Sequence, residues 1–141
     1  MRDKIIRIHW AEPQLIEDAI AFPLSMNPGL YYITRLFGSK ETSLYIGKSA
    51  YSVRKRLLSH DRHWVHDYRG KIFIRIGQII YPVHPDAEII DHAESALIYE
   101  HRNILTDNTD KLYSYSYSEL FHIENKGNVF ELKPSFRMHD Q

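Results

Sequence analysis

The sequence predicts an α+β domain: a small, mainly antiparallel three-stranded sheet flanked by helices, with an N-terminal strand–helix extension and a C-terminal β-hairpin. Three observations carry this expectation. Residues 30–36 and 43–47 are short runs rich in aromatic and β-branched side chains, and the segment 38–42 between them holds Gly38, so they read as a hairpin. Residues 71–81 (KIFIRIGQIIY) form an isoleucine-rich run of strand length. Residues 52–68 and 85–105 repeat their apolar positions at helical spacing.

The remaining elements follow in chain order. Residues 4–10 (KIIRIHW) read as a strand and residues 13–22 as a short helix opening on Pro13. The breaker segment 23–28, with a proline at each end, separates an N-terminal extension (1–26) from a central unit (27–110). Ser52 is the expected N-cap of the first long helix and Gly70 its stop. Pro85, Asp86 and Glu88 suit the first turn of the second. In the C-terminal extension (111–141), Tyr113, Tyr115 and Tyr117 alternate with serines, which places three rings on one strand face. Residues 121–132 then read as a hairpin turning at residues 125–128.

Composition narrows the function classes. A chain of 141 residues with 43% hydrophobic and 26% charged side chains has the make-up of one globular domain. It contains no cysteine, which removes disulfides, thiolate metal sites and thiol nucleophiles together. The longest uncharged stretch, 19–34, is broken by two prolines and is too short to span a bilayer, and the N-terminus lacks a signal-peptide core, so no membrane partner and a cytoplasmic location are expected. The formal net charge is zero but unevenly placed. Residues 1–81 carry 13 Lys and Arg against 7 Asp and Glu; the rest carry 5 against 11. A basic face for phosphates beside an acidic part able to hold a cation fits this split, as do two oppositely charged halves packed together.

Glu94 is the most informative residue. On a helical projection it falls inside the apolar stripe of Ile90, Ala93, Leu97 and Ile104, whereas Glu88 and Asp91 fall outside it or at its edge. Carboxylates are almost never buried unless paired or bound to a metal, so Glu94 needs a basic partner or a cation. His101, on the same stripe, reads as a core histidine. The first long helix is basic. Arg54, Lys55 and Arg62 suit a solvated face able to meet nucleic acid, while Arg56 borders the stripe of Val53, Leu57, Trp64 and Tyr68. Arg56 and His60 stand four apart, on one face. His60, His63 and His66 recur every three residues without a carboxylate at ligand spacing, a poor pattern for a metal. Tyr31 and Tyr45 are expected roughly opposite each other in the hairpin, with Lys48 just beyond.

Taken in order, these residues resemble the GIY-YIG nucleases. Gly29-Leu30-Tyr31 stands for the first motif, with Leu for the usual Ile, and Tyr45-Ile46-Gly47-Lys48 for the second. Arg56 with His60 looks like the arginine helix, Arg54 being an alternative to Arg56. Glu94 looks like the metal-binding glutamate. Asn108 matches the family asparagine, with Asn103 also in the region. The resemblance covers residues 27–110 and implies hydrolysis of a phosphodiester in DNA, RNA not being excluded, with one Mg²⁺ or Mn²⁺ on Glu94. It implies that Arg56 stabilises the phosphate charge, that Tyr31 or Tyr45 takes a proton from the attacking water, and that His60, Lys48 and Asn108 assist. A homodimer would help so small a domain make paired cuts; the sequence leaves the oligomeric state open. Two other readings stay open: a non-catalytic nucleic-acid-binding module with the same fold, and a structural or protein-interaction domain in which Glu94 is paired to an arginine.

Overall fold

The structure, a computed structural model, describes residues 4–112, 114–115 and 119–138. The elements run β1 (Lys4–Trp10), β2 (Gln14–Leu15), α1 (Ile16–Ala21), β3 (Gly29–Phe37), β4 (Lys40–Ser49), α2 (Val53–His63), β5 (Lys71–Tyr81), α3 (Ala87–Glu100), β6 (Phe121–Gly127) and β7 (Ser135–Arg137). Short 3₁₀ turns at Pro23–Met26 and Val65–Asp67 complete them.

The α+β class and the mainly antiparallel pairing hold, but the sheet has seven strands where three were expected. Its order is β4-β3-β5-β1-β6-β7, with β2 also paired to β5. The extra strands come from both ends of the chain. β1 pairs antiparallel with β5 and, across more than 110 residues of sequence, parallel with β6. The Trp10 indole N–H donates to Asn125 Oδ1 at 2.8 Å across that parallel pair.

A C-terminal hairpin is present, but its turn lies further along the chain than expected. Residues 125–127 continue β6, and its antiparallel partner is β7, reached by a loop over 128–134. Asn125 looks like a turn residue but spends its side chain on the interior, accepting from Trp10 and donating to the Lys133 carbonyl at 2.8 Å. Tyr115 lies outside any strand with its ring buried; Tyr113 and Tyr117 lie outside the described residues. The helices are shorter than expected: α2 stops at His63 and α3 at Glu100, and two residues of the 13–22 segment join the sheet before α1 begins. Asp86 caps α3, accepting from the Ile89 N–H at 2.9 Å.

Side chains alternate across β3 and divide the core. Leu30 and Tyr32 face a cluster with α3, β1 and the C-terminal strands, while Tyr31 and Ile33 face a cluster with α1 and α2. Each fully buried Ile or Leu in these clusters contributes about 1.5–3 kcal/mol over exposure. The two layers meet beyond the sheet's free edge, at β4, and that meeting point positions the candidate site.

Candidate functional site at the sheet edge

A cleft of about 450 Å³ opens beside β4, lined by Tyr45 and Lys48 from the strand, Arg56 from α2, Glu94 and Ile98 from α3, and residues 108–111. Residues spread over more than sixty positions are brought together because α2 and α3 pack on opposite faces of the β3–β4 hairpin and each contributes side chains to the cleft beside β4.

Tyr31 does not sit opposite Tyr45, as the hairpin suggested. A bulge between Ile33 and Thr34 sets the register so that Tyr31 faces Gly47 and Tyr45 faces Ile33. The two rings stack diagonally, with centroids 6.1 Å apart. Gly47 is required here: a Cβ on it would lie 2.2 Å from the Tyr31 hydroxyl. Tyr31 is fully buried, and its hydroxyl meets His60 Nε2 at 2.8 Å. Burial, with the neighbouring Tyr45, holds the Tyr31 phenol well above its ordinary pKa against the opposing pull of Arg56. On its other side, His60 Nδ1 accepts from the Trp64 indole N–H at 2.6 Å.

Burial pushes the His60 pKa down to about 4, helped by the charges of Arg56 and His63. This has a consequence for stability. The unfolded chain takes a proton on His60 near pH 6.5 and the folded chain only near 4, so the neutral imidazole is fully accommodated above 6.5 and progressively disfavoured as pH falls to 4. Denaturant titrations at pH 7 and pH 4 are expected to differ by about 3 kcal/mol more in the native chain than in a His60→Gln variant, which has nothing to titrate there. An equal drop in both would remove His60 as the source.

Glu94 is buried (8% exposed) and has a basic partner. Lys111 Nζ donates to Glu94 Oε1 at 2.7 Å and to Asp91 Oδ1 at 2.9 Å. Lys48 reaches the same Asp91 oxygen at 3.0 Å, so it stands on the acidic side of the cleft. Burial raises the Glu94 carboxyl above its usual range despite Lys111. At Asp91 burial acts in the same sense but is outweighed by the two lysines, and the carboxyl is held low.

Asn108 acts on the backbone. Its Oδ1 accepts from the Ile46 N–H at 2.9 Å and its Nδ2 donates to the Ile46 carbonyl at 3.0 Å, which closes the outward edge of β4. Asn108→Ala leaves both groups without that partner, and a loss of about 2 kcal/mol or more is expected in urea unfolding. Asn103 is exposed. Arg54 is drawn away from the cleft, its Nε donating to the Ile20 carbonyl at 2.8 Å. Lys55 and Arg62 are exposed on α2 and do not line the cleft.

Two residues were missed by sequence reasoning. Lys111 carries no periodic signal; it reaches Glu94 from a backbone with φ of +63°, a conformation L-residues rarely adopt. Trp64 had a signal in its i+4 spacing from His60, but its indole N–H was read only as part of an apolar stripe.

The cleft defines a polar site with both charges present: three cations (Lys48, Arg56, Lys111) near the carboxylates of Glu94, Asp110 and Asp91, next to stacked phenols. Comparison with known protein families, curated proteins and solved structures gives no match to this chain.

Proposed function

We propose that the chain is a metal-dependent endonuclease of the GIY-YIG type, hydrolysing phosphodiester bonds in DNA. The observation that carries this reading is the convergence of Tyr45 and Lys48 from the second motif, Arg56 from the arginine helix, Glu94 from the glutamate helix and Asn108 on one cleft.

The donor set suits Mg²⁺ or Mn²⁺. Glu94, with Asp91 one turn before it, offers the hard oxygen ligands these ions take, and Mg²⁺ commonly binds through one or two carboxylates plus water and substrate phosphate. Among the described residues no group of three or more His, Cys, Asp or Glu gathers, so Glu94 would be the principal protein ligand. When bound, such an ion supplies Lewis-acid stabilisation of the phosphate charge. The side chains of the chain do the rest. Arg56 offers a guanidinium to the non-bridging oxygens as they gain charge. A tyrosine that has first given up its own proton would, as phenolate, take the water proton as the water oxygen bonds to phosphorus and the P–O ester bond breaks, the leaving oxygen being protonated from solvent. Tyr45 suits that role better than Tyr31, because Tyr45 lines the cleft and Tyr31 is fully enclosed.

The Glu94–Lys111 pair favours a second reading. A carboxylate already neutralised by an ammonium is what a non-catalytic domain of this fold, nucleic-acid-binding or protein-interacting, would keep. Supercoiled plasmid incubated with Mg²⁺ or Mn²⁺, against an EDTA control, separates the two. Nicking that needs the metal is the expected result. Binding without nicking under every metal condition would favour the binding module.

A further inference from the structure

The hydrogen-bond chain Trp64–His60–Tyr31 has a direction. An indole N–H can only donate, so His60 Nδ1, 2.6 Å from Trp64 Nε1, must present its lone pair. A neutral imidazole has one N–H, which is therefore on Nε2. That atom lies 2.8 Å from the Tyr31 hydroxyl, so His60 donates and the Tyr31 oxygen accepts. A charged imidazolium would set Nδ1–H against the indole N–H.

We propose that Trp64 is a positioning residue that fixes His60 in its Nε2–H form, so that His60 holds the Tyr31 hydroxyl as a donor and cannot take its proton. The assignment of a task to this chain rests on the nuclease reading; the tautomer itself does not. With His60 on one side of its oxygen, Tyr31 must direct its own hydrogen away from α2's histidine. On that side stand Arg56, whose guanidinium can only donate to the Tyr31 oxygen, and Tyr45, both on the cleft wall. A proton relay from water through Tyr31 to His60, the obvious use of a Tyr–His pair, is closed in this chain. Tyr31 instead supports Tyr45 and Arg56 from behind, and the tyrosine that takes the water proton, as phenolate, is Tyr45.

The test begins without substrate. Long-range ¹H–¹⁵N correlation on the full chain with ¹⁵N-histidine, at pH 7, reports which ring nitrogen carries the proton, and His60→Gln assigns the signal. The expected result is an Nε2–H tautomer for His60 in the native chain and a mixture of the two tautomers in Trp64→Phe, which keeps an aromatic ring but no donor. An Nδ1–H tautomer or an imidazolium in the native chain overturns the proposal, as does a Trp64→Phe spectrum unchanged from it.

Cleavage kinetics form the second arm. Trp64→Phe is expected to lower kcat by about tenfold or more, on the scale seen when the partner that orients a metal-ligating histidine is removed, with KM unchanged. His60→Gln, whose amide can still donate to Tyr31, should recover most of what His60→Ala loses. Equal losses in Gln and Ala would show that donation to Tyr31 is not what His60 contributes. Should the native chain cut no DNA, the nuclease reading fails while the nitrogen shifts still decide the tautomer.

Discussion

Glu94→Ala is expected to reduce metal-dependent plasmid nicking by at least about 10²–10³-fold, the scale on which a single preorganised electrostatic group acts in a closed site. The loss should fall on kcat, because the carboxylate acts through charge built up during reaction. Folding should survive the change. Glu94 sits mid-helix in α3, where alanine is the best helix former, and burial already works against its charge. Its partner is not stranded either, since Lys111 keeps Asp91 at 2.9 Å. Removing one member of a buried pair is severe when it leaves the other uncompensated, and here it does not. The variant should therefore show the native far-UV spectrum and melt close to the native chain while nicking no faster than the EDTA control. A variant that nicks at the native rate would refute the metal role of Glu94.

Glu94 was legible in the sequence because it violates a rule: a carboxylate among Ile90, Ala93 and Leu97 conflicts with the apolar stripe, and such conflicts mark paired or functional groups. The β3–β4 hairpin was legible for a local reason, Gly38 at a φ of +65° between two alternating runs. The size of the sheet was not. β1 meets β6 in parallel from the far end of the chain, and no local pattern in KIIRIHW names its partners. A parallel pair needs a crossover, here almost the whole chain, and pairing at that distance is decided by what the intervening elements leave uncovered. The same limit hid Lys111, whose reach toward Glu94 depends on one left-handed residue in a loop. It also misplaced the end of β6, because Asn125 has turn-forming chemistry but bonds to Trp10 and the Lys133 carbonyl. What sequence reasoning recovered was local periodicity and its violations. What it missed was closure between distant segments.

Gly47→Ala is expected to be the most damaging conservative change in the site for stability, costing about 2–6 kcal/mol. The added Cβ would lie 2.2 Å from the Tyr31 hydroxyl oxygen and 2.3 Å from its Cζ, distances no relaxation of a flexible end can absorb because the obstacle is a rigid ring. Tyr31 has nowhere to go: it is fully buried, stacked on Tyr45 and hydrogen-bonded to His60. If the ring yields, His60 loses its partner; if β4 yields, the clamp of Asn108 on Ile46 opens one residue away. Overpacking costs about 1–3 kcal/mol, and a buried polar group left unpaired adds about 1–3 kcal/mol. Gly38→Ala is the control. It meets nothing within 4 Å, and its φ of +65° charges the variant only for backbone strain, about 1 kcal/mol. Urea midpoints of the two variants should therefore separate clearly, with Gly47→Ala far below Gly38→Ala and its cleft tyrosines displaced in aromatic NMR spectra. Equal midpoints would mean that Tyr31 is not packed over Gly47. In that case the enclosure that separates the roles of Tyr31 and Tyr45 would be lost with it.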